Sequence, residues 1–396
     1  MVKKILSMKN ENKLLIVLAF VSLSTGIWSK FRQLWLQDIG YSITDISKIL
    51  SVALICSSIL SFVISFFSTK IKIKHVVALS FMIRITSLIG LLAFRDDYII
   101  KLCMLLCVMC DVIFAISYYP LLSFEARKDA YKRKMLIDYF FTDAGVVVCG
   151  LLLGVSIGNY IFDYNGCLVV SIVCALFGLL FLIPVNSHQK IKKSKSFKKS
   201  IKEIFTSRIN RIFLYTELFG YIAFGIVFDL MMLILTNYIG FSVTFTSIFI
   251  IVSNMLATIF SYIFSKFSNG YSISLSSLIK YGSRVVVYII AIVFNNNLLF
   301  IFAIIYAYIT CRVLEDKVTG SFLELISNDN QFLFGNIRYF ALSLGEGIGA
   351  FLAGLLLSHS LRMLFIGASI FTLIITLNKI YLDYLKRKQD NGWFFL

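Results

Sequence analysis

The sequence predicts an all-α integral membrane protein whose twelve transmembrane helices form two parallel six-helix repeats. Three observations carry this. The 396-residue chain is 59% hydrophobic and only 15% charged, far from the roughly 25% charged residues of a soluble domain. Its apolar stretches recur at the length of about 20 residues that a helix needs to cross about 30 Å of hydrocarbon with every backbone polar group satisfied internally. The chain also matches itself at an offset of 200 residues: Gly40 and Ser42 fall on Gly240 and Ser242, residues 59–68 on 259–268, Arg84 on Arg284, and 138–145 on 338–345. A long period of this kind in a hydrophobic chain is the trace of a duplicated helical unit.

The elements follow in order. The first six spans are expected at 14–36, 45–68, 76–94, 99–122, 135–157 and 167–185. Basic residues before the first (Lys3, Lys4, Lys9, Lys13), between the second and third (Lys70, Lys72, Lys74) and between the fourth and fifth (Arg127, Lys128, Lys132, Arg133, Lys134) mark one membrane side. The fifth span carries Gly145, Gly150, Gly154 and Gly158, small residues at about four-residue spacing that let helix backbones approach closely in lipid. The second six spans are expected at 212–236, 244–265, 275–294, 298–322, 335–357 and 362–382. The domains are therefore an N-terminal bundle over 1–185, a basic linker over 186–211 and a C-terminal bundle over 212–396. In the linker, Phe197, Ile201, Ile204, Phe205, Ile209 and Ile212 recur at helical intervals among basic residues. That pattern suits an amphipathic helix lying on anionic lipid, with a plain solvated linker as the alternative.

The formal net charge of +17 lies in the termini, the linker and alternate loops, which places both termini in the cytoplasm of a multi-pass protein of the cell membrane. It does not indicate nucleic acid. The eight cysteines sit almost entirely within spans, against a disulfide framework. Cys103, Cys107 and Cys110 share a helical face and read as small buried apolar groups; neither metal nor cofactor is expected. His75, His188 and His359 lie in or next to loops, away from any intramembrane proton relay. No Gly-x-x-x-x-Gly-Lys-Ser/Thr signature is present, so ATP does not power this chain directly. The first span has no cleavage pattern and is read as retained.

Six spans per half gives both halves the same orientation, related by an axis along the membrane normal. With both ends inside, a basic central loop and glycine-rich fifth and eleventh spans, the whole chain resembles the major facilitator superfamily. Its short motifs depart from that pattern. Where the family's loop between spans two and three reads Gly-x-Leu-x-Asp-Arg-x-Gly-Arg-Lys, this chain has residues 65–74 with Thr69 at the Asp position and Lys72 at a glycine position. The cavity arginine motif of span four is absent and Asp111 stands in its neighbourhood. The subfamily is not identifiable. The resemblance implies that spans one, four, seven and ten line a central cavity and that three, six, nine and twelve stand outside them.

Ionisable groups in the bilayer interior cost on the order of 2.5–3.5 kcal/mol each, so each is a candidate site. Counting at about 1.5 Å per residue places Arg84, Asp111, Asp143, Arg284 and Glu346 near the middle, and Lys30, Arg32 and Asp229 towards one side. Arg312, Glu315, Asp316, Lys317 and Arg338 lie towards the other. The resemblance favours Asp111, Asp229, Lys30 and Arg312 as cavity groups, with Asp143 and Glu346 as further proton or substrate candidates. It assigns Arg84 and Arg284, on peripheral spans, to structural pairs with neighbours. Asp111 is the expected proton-coupling group, because low dielectric disfavours its charged form. The alternative is a permanent pair with Arg84 or Arg312. Lys30 and Asp229 are candidates for an outer gate, and Arg312, Glu315, Asp316, Arg338 and Glu324 for an inner gate network.

These readings point to a secondary transporter that moves a small solute by alternating access, coupled to protons, monomeric and not an enzyme. Export is preferred, on the glycine series and on aromatics such as Trp28, Trp35, Tyr118 and Tyr119. Uptake of a sugar, amino acid or peptide by symport stays open, as do a membrane enzyme and a non-transporting receptor or scaffold.

Overall fold

A computed structural model describes residues 9–67, 73–125, 128–157, 160–185, 197–267, 271–314, 318 and 331–390. Every predicted span contains a helix. In the first half these are span one Asn10–Asp38, span two Ile43–Phe67, span three Ile73–Ala93, span four Asp97–Glu125, span five Lys128–Leu152 and span six Tyr164–Leu182. In the second half, span seven runs from Arg208–Phe228 through Met231–Leu233 into a π-helical stretch at Ile234–Tyr238. Span eight is Val243–Phe267, and span nine joins Ile273–Ser277, a π-helical Leu278–Gly282 and Ser283–Phe294. Spans ten, eleven and twelve are Asn297–Arg312, Gln331–Leu357 and Leu361–Asp390. Among the described residues ten helices are long and apolar enough to cross a membrane, and Phe140–Leu152 and Asn297–Arg312 are shorter apolar helices. Large apolar side chains stay exposed on the outer faces, among them Ile59, Met82, Leu180, Val293 and Leu377, as lipid contact requires. The protein is a multi-pass membrane protein.

The chain forms two compact units. One gathers Met1–Ser42, Val52–Lys193 and Gly240–Ile251; the other gathers Ile43–Ser51, Ser194–Ile239 and Val252–Leu396. The beginnings of spans two and eight are thus each counted with the other half's helices. Inside the first unit span one packs on spans five and six, and span three on spans four and six. Inside the second, span seven packs on eleven and twelve, and span nine on ten and twelve. The same pairing in both units is what a duplicated unit dictates. The repeat reaches single residues: Gly40 and Gly240 both hold positive φ, +100° and +87°, just after spans one and seven, a conformation that L side chains rarely adopt.

In the first unit Leu14, Val17, Leu18 and Val21 of span one meet Val77 and Phe81 of span three, Tyr118 of span four and Ala175 of span six. Polar ties fix this register where lipid supplies no hydrophobic drive between helices. The Tyr118 hydroxyl donates to the Leu14 carbonyl at 2.7 Å, and the Ser24 and Ser171 hydroxyls are 2.8 Å apart. Lys13 donates to the Pro184 carbonyl at 3.1 Å, and Lys74 to those of Ile183 and Val185 at 2.7 and 2.6 Å. Two cations therefore cap the carbonyl end of span six, the end that its helix dipole makes negative.

In the second unit spans seven and eleven approach backbone to backbone. A Cβ added at Gly345 would lie 2.3 Å from the Leu218 carbonyl oxygen, and one at Gly349 2.4 Å from that of Ile222. Backbone cannot yield as a side chain can. Gly349→Val is therefore expected to destabilise the second unit by about 1–3 kcal/mol, read as a lower melting temperature of the purified protein.

Three expectations need correction. Span five ends at Leu152 rather than 157: Gly154 turns the chain at φ +82°, and a two-stranded antiparallel hairpin pairs Ser156 with Ile161 and Ile157 with Tyr160. Gly154 is consequently a turn residue and not part of a packing stripe; Gly158 lies outside the described residues. The first helix of span ten stops at Arg312, where Val313 leaves the helix and Leu314 takes φ +59°, while 319–322 of the expected span lie outside the described residues. The amphipathic stretch of the linker is two helices. Phe197–Thr206 stops before Ser207, whose hydroxyl accepts from the Asn210 N–H at 3.4 Å and caps span seven, while the Asn210 side-chain amide donates to the Ile204 carbonyl at 3.3 Å.

Candidate functional site

In the first unit the structure brings Arg84, Asp111 and Thr25 together. Arg84, on span three, is buried and forms an ion pair through its Nη2 with Oδ1 of Asp111 on span four. Its Nη1 donates to Oγ1 of Thr25 on span one, and Thr25 in turn lies 3.5 Å from Asp111 Oδ1. A cation, a carboxylate and a hydroxyl from three different spans thus share one network. The guanidinium is almost wholly enclosed, with 4% of its side chain accessible, whereas Asp111 keeps 31%. Asp111 and Thr25 are the less enclosed members of the network. Arg84 is thus the ion-pair partner of Asp111.

Thr25, Trp28, Arg32 and Trp35 recur on span one at intervals of three and four, which puts them on one face. Trp28 and Trp35 meet edge to face with ring centroids 5.7 Å apart. Arg32 is buried within electrostatic reach of Asp111 and of the Cys107 thiol.

The second unit repeats the arginine but not its counter-ion. Arg284 is buried on span nine, where its Nε donates to Thr310 Oγ1 at 2.9 Å, its Nη2 lies 3.6 Å from the Cys311 sulfur, and its guanidinium sits 5.6 Å from the Tyr281 ring centre. Cys311 occupies the position that the 200-residue offset gives to Asp111, so the carboxylate of the first unit is a thiol in the second. Lys280, four residues before Arg284, donates to the Cys311 carbonyl at 2.8 Å. Cys311→Asp is expected to fold, to pair with Arg284 and to hold or raise the melting temperature, because it gives a buried cation the partner its repeat already has. Cys107→Asp, one turn from a carboxylate already present, is expected to lower it.

A three-membered charge cluster of the second unit, centred on Glu217, was not foreseen. Glu217 of span seven is buried and accepts from Arg338 of span eleven (Nε 2.8 Å, Nη2 2.7 Å) and from Lys379 of span twelve at 3.2 Å. Lys379 is fully enclosed, with its ammonium 4.8 Å from the Phe213 ring centre. Arg338, read from the sequence as part of an inner network with Glu324, has Glu217 as its partner; Glu324 lies outside the described residues.

The other candidates are spread over both units. Arg312 ends span ten and reaches span eight, donating to Asn254 Oδ1 at 3.0 Å and Thr258 Oγ1 at 2.9 Å. Asp229 is buried at the end of the first helix of span seven. Lys30, Asp143 and Glu346 are half-buried on spans one, five and eleven. Glu315 and Asp316, with Lys317, lie outside the described residues, and so does the expected contact of Arg312 with Asp316.

Two units with matching helix pairing, buried charge pairs between helices and apolar outer faces define the class: the chain has the fold of the major facilitator transporters. It is similar over 94% of its length to a point mutant of the nucleoside transporter NupG, all of which is covered, at a TM-score of 0.75 and 12% identity. A bacterial homologue of the human lysosomal transporter Spinster, in an inward-facing and unoccupied conformation, matches 95% of this chain and 96% of its own at a TM-score of 0.71 and 11% identity. The human organic anion transporter MFSD10 matches 94% and 100% at 0.69 and 11%. No protein-family model and no curated protein sequence matches the chain.

Proposed function

We propose that the protein is a secondary transporter that moves a small solute across the cytoplasmic membrane by alternating access, with proton movement coupled through Asp111. The observation that supports this most is the Arg84–Asp111–Thr25 network. Ionised, Asp111 balances the enclosed guanidinium and ties spans one, three and four. Protonated, it loses the attraction between opposite charges and keeps only hydrogen bonds to a neutral acid, which hold the guanidinium less strongly. Each protonation event therefore changes the relative stability of two arrangements of the same helices. A few kcal/mol is enough to shift populations without locking either one. Both termini and the basic linker are assigned to the cytoplasm on the charge asymmetry of the loops.

Reconstitution tests the reading. In proteoliposomes an imposed pH gradient is expected to drive solute movement from a metabolite panel, with a matching pH change in the lumen that protein-free vesicles lack. The orientation of gradient that accelerates movement decides between export and import. Solute flux indifferent to the gradient would overturn the proton coupling, and absence of flux for every solute would overturn the transporter reading.

A further inference from the structure

We propose that Arg32 and Trp28, on one face of span one, form an oxyanion-recognition subsite, so that the transported solute carries a carboxylate or phosphate group. The inference deepens the transporter reading and rests on it for the word transported, though the binding claim stands alone. Its basis is a pair of buried donors that nothing among the described residues satisfies. Arg32 is 9% and Trp28 2% exposed, and neither the Nε of Arg32 nor the Nε1 of Trp28 has an acceptor among the described residues. No carboxylate among those residues forms an ion pair with Arg32; the one within electrostatic reach, Asp111, is already engaged by Arg84 and Thr25.

Buried N–H groups are nearly always paired, and two buried arginines that share one carboxylate leave a positive charge unbalanced. Arg32 and Trp28 stand four residues apart, and side chains on a helix lean towards its N-terminus, so both donors lie along the same side of span one as Thr25. The missing partner is an acceptor, and the excess positive charge makes it an anionic one. A planar guanidinium and an indole N–H one helical turn apart are donors of the kind that bind the oxygens of a carboxylate or a phosphate. The T-shaped packing of Trp28 on Trp35 holds the indole in place before the anion arrives.

The protein reports on its own subsite, since its three tryptophans are Trp28, Trp35 and Trp393. Purified full-length protein in nanodiscs would be titrated with inorganic phosphate, acetate and benzoate, and with acetamide and benzamide as uncharged counterparts, following tryptophan emission. An oxyanion is expected to shift the emission and its counterpart to leave it unchanged; which of phosphate and the carboxylates acts identifies the group. Arg32→Gln and Arg32→Lys should weaken the response by about tenfold or more, the worth of a charge-assisted hydrogen bond, and Trp28→Phe should remove the emission change. Arg32→Lys and Trp28→Phe preserve charge and ring respectively, so folded protein remains in hand if Arg32→Gln is unstable. An oxyanion response unchanged in these variants, or amides as effective as acids, overturns the inference. Binding of oxyanions with no flux of any of them in proteoliposomes keeps the subsite and overturns the transporter reading. Flux confined to uncharged solutes and indifferent to Arg32 does the reverse.

Discussion

Asp111→Asn is expected to end proton-driven accumulation while leaving solute exchange in place. The carboxamide matches the carboxylate in shape and can still accept hydrogen bonds from Arg84 and Thr25, whose donors reach Asp111 in the native protein, but it holds no exchangeable proton. For a single coupled proton each pH unit of gradient supports about a tenfold accumulation, and the substitution should bring that ratio to one. Counterflow under equal pH should continue, since exchange needs only the solute-bound states. Accumulation that persists in the variant would move the proton to another carboxylate, with Asp143, Asp229 and Glu346 the next to be replaced. A melting temperature close to wild type would separate lost coupling from lost fold.

Glu217→Ala should destabilise the second unit by about 3–5 kcal/mol, the cost of leaving a buried charge uncompensated. Arg338 keeps 22% of its side chain accessible and can turn to water, but Lys379 keeps 1% and cannot. The enclosed ammonium carries the penalty. Restoring an apolar pair with Glu217→Met and Lys379→Met together should recover much of the loss, because well-packed hydrophobic replacements of a buried ion pair are often neutral. Thermal unfolding of Glu217→Met, Lys379→Met and the double variant gives the coupling directly. A single Glu217→Ala variant as stable as wild type would mean that the cluster is solvated.

The architecture was legible because lipid imposes it. Span length, the alternation of basic loops and the 200-residue offset each follow from crossing a bilayer twelve times with a duplicated unit, and they located a helix in every expected place. What escaped was local. The turn at Gly154 looks, in sequence, like another member of a packing stripe; only its positive φ shows otherwise. Ser207 is an ordinary polar residue until it caps a helix and splits an amphipathic run in two.

For the site, the sequence flagged most of the intramembrane charges but not their pairing, since contacts such as Arg84 with Asp111 or Glu217 with Lys379 join residues far apart along the chain. Glu217 and Lys379 carried a readable signal, a charge embedded in an apolar stretch, yet neither has a charged counterpart at the offset: Val17 and Leu179 stand there. The repeat drew attention to Arg84 and Arg284 and away from residues unique to one half. Comparing what faces each repeated arginine, Asp111 and Cys311, would have shown from sequence that the two halves have diverged where the chemistry lies.

All eight cysteines are free, and only Cys56, Cys174 and Cys311 escape full burial. Three substitutions would therefore make the native chain nearly silent to maleimide reagents without disturbing the enclosed thiols of the bundles. On that background, one fluorophore or spin label at a chosen turn would report on its own surroundings alone, and two labels on the distance between two turns, so helix movements could be timed in lipid.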